Sequence, residues 1–146
     1  MRALLFWFLQ AQDFYQKLHH DALLLANTDA HDADKEWADI GCGVGLMSTL
    51  ADKKEYKVSS YDLDAQMISF AKFLHKKRPQ LHFEQKDVME ITQSYDIVSA
   101  TSLLSVVPKK EAVLHKLRSL LKDENSQLIL RAPLKTLVIL RGKKKR

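Results

Sequence analysis

From Trp37 onward, short apolar runs alternate with longer stretches of helical periodicity, and this alternation leaves few architectures open. Glu36–Ile40, Tyr56–Tyr61, Leu81–Glu84, Tyr95–Ala100 and Gln127–Arg131 read as strands, each short and bounded by polar or turn-forming residues. Helix-length segments separate them. One runs through Leu46, Leu50 and Ala51. A second, Ala65–Lys77, places Met67, Ile68, Ala71 and Leu74 at helical spacings before Pro79 interrupts it. A third begins after Pro108, with Ala112, Leu117, Leu120 and Leu121 as its stripe, and Asp123–Ser126 is the turn that follows. Strands joined through helices need right-handed crossovers, so the sequence predicts an α/β fold: a mostly parallel sheet with flanking helices.

Length and charge narrow the class further. At 146 residues the chain is sized for one domain with a real core. The net charge of +5 comes from the stretch 141–146, which holds five basic groups; without it the basic and acidic residues balance. A neutral body argues against nucleic acid as the main partner, and a basic tail more often solubilises than binds. A single cysteine, Cys42, permits no internal disulfide and fits a reducing, cytoplasmic setting. The apolar start, Met1–Leu9, is too short to span a bilayer and lacks a small-residue cleavage site, so an amphipathic helix is the expectation. Phe14, Leu18, Ala22 and Leu25 predict a helix over 12–26. The organisation expected is a helical extension at 1–35, an α/β domain at 36–140 and a basic tail at 141–146.

Three of the four glycines, Gly41, Gly43 and Gly45, sit at alternate positions between the first strand and the first helix, behind Asp39. Residues without a Cβ let the chain bend tightly there and let a ligand approach the backbone. In open parallel sheets ligands bind beyond the carboxyl ends of the strands. Three more strand ends carry polar residues to that side: Asp62, 17 residues after Gly45, then Asp87, then Ser99–Ser102. A carboxylate at about the distance of Asp62 suits the hydroxyls of a ribose. A nicotinamide-type loop would want glycine at position 46, where Leu46 stands.

These motifs, in this order, resemble the class I S-adenosylmethionine-dependent methyltransferases. Asp39-Ile40-Gly41-Cys42-Gly43-Val44-Gly45 is similar to that family's acidic-x-Gly-x-Gly-x-Gly loop. Tyr61-Asp62-Leu63-Asp64 with Met67 and Ala71, Lys86-Asp87-Val88, and Tyr95–Ala100 resemble its next three segments, over about residues 34–132. The resemblance implies a Rossmann-like sheet and S-adenosyl-L-methionine as cofactor. It implies that Gly41, Cys42 and Gly43 pass the methionyl part, and that Asp39 lies beneath the loop and orders the ligand's amino group directly or through water. Asp62 then takes the ribose hydroxyls, Leu63 and Met67 lie against adenine, Asp87 and the Val88 amide read its edge, and Ala100 and Thr101 border the methyl group. The implied reaction is direct methyl displacement, with alignment as the protein's main task and no dedicated base named. Other readings stand beside these: Asp39 as a cap of the turn, Asp62 and Asp87 as turn residues, Cys42 as a small residue tolerated in the loop, Thr101 as a helix cap.

A small-molecule acceptor is expected, since Thr101-Ser102-Leu103-Leu104 follows strand four in place of an Asn-Pro-Pro-aromatic sequence. Nucleic acid guided by the tail is the lesser option. No metal-ligand spacing occurs among the six histidines, and no membrane segment is expected. The family's sheet continues past strand five with a helix and further strands, whereas 14 residues follow Ala132, which suggests a shortened form lacking the last helix and strands. Two expectations follow: 136–140 folds back on strand five as a hairpin, or the open edge pairs in a homodimer. A non-catalytic interaction module is the alternative function.

Overall fold

Near-continuous runs of apolar and small residues commit the central strands to bury both faces, and the helices supply the covers. The computed structural model describes residues 34–101, 103–131 and 137–143, with six isolated positions, Leu4, Leu5, Lys17, His20, Asp21 and Leu24. The helix expected over 12–26 otherwise lies outside the described residues, as do Ser102, 132–136 and 144–146. Strands β1 (Glu36–Ile40), β2 (Lys57–Asp62), β3 (His82–Gln85), β4 (Ile97–Ala100), β5 (Gln127–Arg131) and β6 (Leu137–Arg141) form one sheet in the order β3-β2-β1-β4-β5-β6. The first five are parallel and β6 is antiparallel to β5. The predicted α/β class is therefore what the chain adopts. The chain leaves β1 toward β2 on one side and returns to β4 on the other, so the ends of β1 and β4 flank the point where strand order reverses, the place such sheets keep for ligands.

Helices α1 (Leu46–Lys53) and α2 (Ala65–Leu74) cover one face, packing Met47, Ala51, Ile68 and Ala71 against Trp37, Val58, Phe83, Ile97 and Ile129. Helix α3 (Lys110–Ser119) covers the other, where Val113 and Leu117 meet Ala38, Ile40, Val98, Ala100, Leu128 and Leu130. Asp64 caps α2 by accepting from the backbone N–H groups of Gln66 and Met67 at 2.8 and 3.4 Å.

Several boundaries differ from the sequence reading. Helix α2 stops at Leu74 rather than Lys77; His75 closes it and a turn leads to Pro79, whose ring disfavours helix in the residue before it. On α3, Ala112 is exposed and Val113 takes its place on the apolar stripe, four residues before Leu117. Tyr95 lies outside β4 and bridges Leu121. The hairpin at the end forms. Val138 and Leu140 pack on the α3 side and Ile139 on the α1 side, so β5 is not an open edge. Arg141, the first residue assigned to the tail, completes β6, and just beyond it the Gly142 N–H donates to the Ser126 carbonyl at 2.9 Å.

Candidate cofactor-binding site

Gly41, Gly43 and Gly45 have φ of 69°, 55° and 84°, a left-handed conformation at alternate residues that explains the glycine spacing. The bend turns its N–H groups inward. Gly41 and Cys42 both donate to the Tyr61 carbonyl, at 2.8 and 3.0 Å, and Gly45 donates to the Cys42 carbonyl at 2.9 Å. Gly43 donates to Asp62 Oδ2 at 2.8 Å. A pyrophosphate-binding loop works by offering such groups to an anion. Here four of them are committed to the protein.

Loop and carboxylate thus meet directly, a contact the sequence reading did not foresee. The other Asp62 oxygen accepts from the Asp64 N–H at 2.9 Å. A carboxylate has about four acceptor positions, so this half-buried group keeps capacity for two further donors. Leu63 beside it is 66% exposed, and Met67 is half-buried one turn along. After β3, Asp87 uses Oδ1 to accept from the Met89 N–H at 2.9 Å, opening a short turn that buries Val88 and exposes Met89. Ala100 is buried at the end of β4 and Thr101 is half-buried beyond it. Leu103, which sequence reasoning left without a role, lies over the loop: a Cβ on Gly41 would stand 3.3 Å from its Cβ.

Beneath the loop, Asp39 sits opposite Ser60 of β2 and Ser99 of β4. It is 2% exposed. Ser48 of α1 donates to one of its oxygens at 2.7 Å and Ser99 to the other at 3.0 Å. Ser60 in turn donates to Ser48, and the Trp37 indole N–H to Ser99, both at 2.8 Å. Every donor in the chain points toward the carboxylate. Burial pushes its pKa from 3.8 up to about 6, the serine hydroxyls pull it down, and Asp62 adds to the rise. Burial and these partners hold Asp39 beneath the loop. The three serines carried a legible signal, polar residues at inward strand and helix positions.

The remaining loop side chains turn away from chemistry. Cys42 is buried in the α1-side core, and burial, with Asp39 and Asp62, pushes its thiol well above the ordinary value, which disfavours the reactive thiolate. Tyr61 and Tyr95 share a 2.7 Å hydroxyl contact, and burial together with Tyr61 holds the Tyr95 phenol above its usual range. His75 Nε2 lies 2.9 Å from the Val44 carbonyl, with its ring stacked on Phe83 at 5.5 Å and 17°. Nothing in the sequence set this histidine apart. Among the described residues no three His, Cys, Asp or Glu side chains group as a metal site, and no helix is long and apolar enough to cross a membrane.

A family model described as a methyltransferase domain matches residues 38–126. The chain belongs to that family. The methyltransferase domain is 28% identical over 79 residues to a trans-aconitate 2-methyltransferase of Deinococcus radiodurans, covering 54% of this chain and 31% of that protein. It is 27% identical over 104 residues to a ubiquinone biosynthesis O-methyltransferase of Pseudoalteromonas translucida, covering 67% and 44%. The chain therefore spans less than half the length of these curated relatives. Among solved structures, a magnesium protoporphyrin IX methyltransferase from Synechocystis with bound S-adenosylmethionine superposes with a TM-score of 0.72 at 24% identity, over 88% of this chain and 62% of that one. That likeness establishes the shared Rossmann-like fold.

Proposed function

We propose that the domain binds S-adenosyl-L-methionine and transfers its methyl group to a small-molecule acceptor. The observation that carries this reading is the 2.8 Å bond from the Gly43 N–H to Asp62, which joins a side-chain-free bend to a carboxylate with acceptor capacity to spare. The residues fit a nucleoside bearing a cationic sulfur better than a dinucleotide. The inward N–H groups leave the loop little to offer a phosphate, whereas the spare lone pairs of Asp62 suit a diol. When bound, this cofactor supplies a methyl group already activated on a sulfonium.

The chain's own residues then bind and orient. Asp62 would hold the ribose hydroxyls. Leu63 and Met67 would flank adenine, joined by Met89; Asp87 and the Val88 amide would meet its edge. Gly41, Cys42 and Gly43 would present bare backbone to the methionyl part, with Asp39 holding the loop from below. Ala100, Thr101 and Leu103 would border the reacting end and exclude water. Alignment of acceptor and methyl group in a dry pocket is the main catalytic contribution. Two relatives are named for trans-aconitate and for ubiquinone biosynthesis, which supports a small-molecule acceptor over a macromolecule.

Calorimetric titration with S-adenosylmethionine, S-adenosylhomocysteine and NAD tests the reading. Binding of the first two and not the third is expected. Binding of NAD alone, or of none, would remove it, and the last result would favour an interaction module on the same fold.

A further inference from the structure

We infer that His75 is a positioning residue for the glycine loop, acting from the far end of α2 on the Val44–Gly45 arm; its bearing on cofactor affinity rests on the function proposed above. A carbonyl oxygen only accepts, so His75 must carry its proton on Nε2 and donate to Val44. The ring is held for this task by stacking on Phe83. The same two rings form the surface on which Gly45 rests. A Cβ there would stand 2.7 Å from Phe83 and 3.2 Å from His75 Nε2. The third glycine thus answers to two demands at once, its left-handed φ of 84° and the closeness of this platform.

The position of His75 in the chain makes the contact more than local packing. Helix α2 begins at Asp64, whose N–H holds Asp62, and Asp62 holds the Gly43 N–H. It ends at His75, which holds the next residue's carbonyl. One short helix thus grips consecutive loop residues from both of its ends. The donor on Gly43 belongs to the Cys42–Gly43 peptide and the acceptor on Val44 to the Val44–Gly45 peptide, so the two grips hold the peptide groups on either side of the Gly43–Val44 link. Without His75 the Val44–Gly45 peptide is held through its N–H alone, by the Cys42 carbonyl at 2.9 Å, and the bend it shares with Gly43 loosens.

The test compares His75→Gln and His75→Met, side chains of similar length of which the glutamine alone offers an N–H near the Nε2 position, together with His75→Phe, which keeps the stack and lacks the donor. Amide exchange at Gly43 and Gly45 is read by NMR without ligand, with Val98 in the middle of β4 as an internal control. His75→Met and His75→Phe are expected to raise exchange at the two glycines about tenfold and leave Val98 unchanged, while His75→Gln stays within about threefold of the parent chain. S-adenosylhomocysteine affinity should fall about tenfold in the same two variants and be retained in His75→Gln. Equal glycine exchange in Met, Gln and parent chains overturns the inference. So does a rise shared by Val98, which would mean lost stability rather than lost positioning. Should His75→Phe fail to fold, the Gln and Met pair decides. Should the parent chain bind no S-adenosylhomocysteine, the exchange data still decide on His75 and it is the functional reading that falls.

Discussion

The two faces of the sheet are built from neighbouring residues of the same strands, yet they differ in what they bury. Under α3 the interior is aliphatic: Ala38, Ile40, Val98, Ala100, Leu117, Leu128 and Leu130, with the Tyr61–Tyr95 hydroxyl pair at one margin. Under α1 a polar row crosses three strands, Ser60, Asp39 and Ser99, met from above by Ser48, and it stops at Ile129 in β5. A buried carboxylate opposes folding unless it is well partnered, and its cost makes sense where it fixes something else. What it underlies is the glycine loop. Both faces carry an apolar core, and the α1 face adds the polar row that underlies the site.

The largest effect that would sharpen this contrast is expected on the apolar side. Leu117→Ala should cost about 2–5 kcal/mol of stability in a denaturant titration, with cofactor affinity of the folded fraction unchanged. A weakened affinity there would mean the faces are not independent. On the other side, Gly45→Ala meets both a left-handed backbone and the Phe83 ring, and should cost about 3 kcal/mol while also weakening cofactor binding. Unchanged stability in that variant would show that the platform yields easily.

Asp39 makes the contrast visible in pH. Its carboxyl is raised in the folded state, so the folded form holds the proton more tightly than the unfolded form does. Its contribution is then fully present below about pH 4 and is lost as pH rises through about 6. The rise from 3.8 to about 6 corresponds to about 3 kcal/mol. Asp39→Asn should flatten that part of the stability profile; an identical slope in variant and parent would refute the assignment. Asp62→Ala removes a charge-assisted acceptor from the rim and should weaken cofactor binding by about 1.5–3 kcal/mol, measured calorimetrically. Parental affinity in this variant would displace the ribose role. The smallest effect is that of Leu63→Ala, whose exposed side chain should change stability by less than about 0.5 kcal/mol while still lowering affinity for an adenine-bearing ligand.

How much was readable beforehand divides along the same lines. Strand alternation and helical spacing are local, repeated signals, so the sheet, its crossovers and the closing hairpin could be anticipated. The loop and Asp62 were legible because glycine with left-handed φ and a carboxylate at a strand end are chemically distinctive. His75 and Leu103 were not, since each acts through a contact made by tertiary packing, and a lone histidine after a helix looks like any surface residue. Ala112 was assigned to the buried stripe because alanine fits either side of a helix, and only the packed neighbours select Val113. The hydroxyl relay onto Asp39 fell between these cases. Its serines stood at inward positions, but the fact that they converge needed the strand pairing.

The shared Tyr61 acceptor has a consequence for how the strands find one another. Sliding β2 along β1 by two residues returns every side chain to its own side, so oil-like burial hardly distinguishes the slid sheet from the native one. Such a slip moves the Tyr61 carbonyl and the Asp62 carboxylate by about 6.6 Å, beyond reach of the amides at 41, 42 and 43. Those three short contacts therefore act as a proofreading step for the assembly, penalising an error to which the greasy interior is blind.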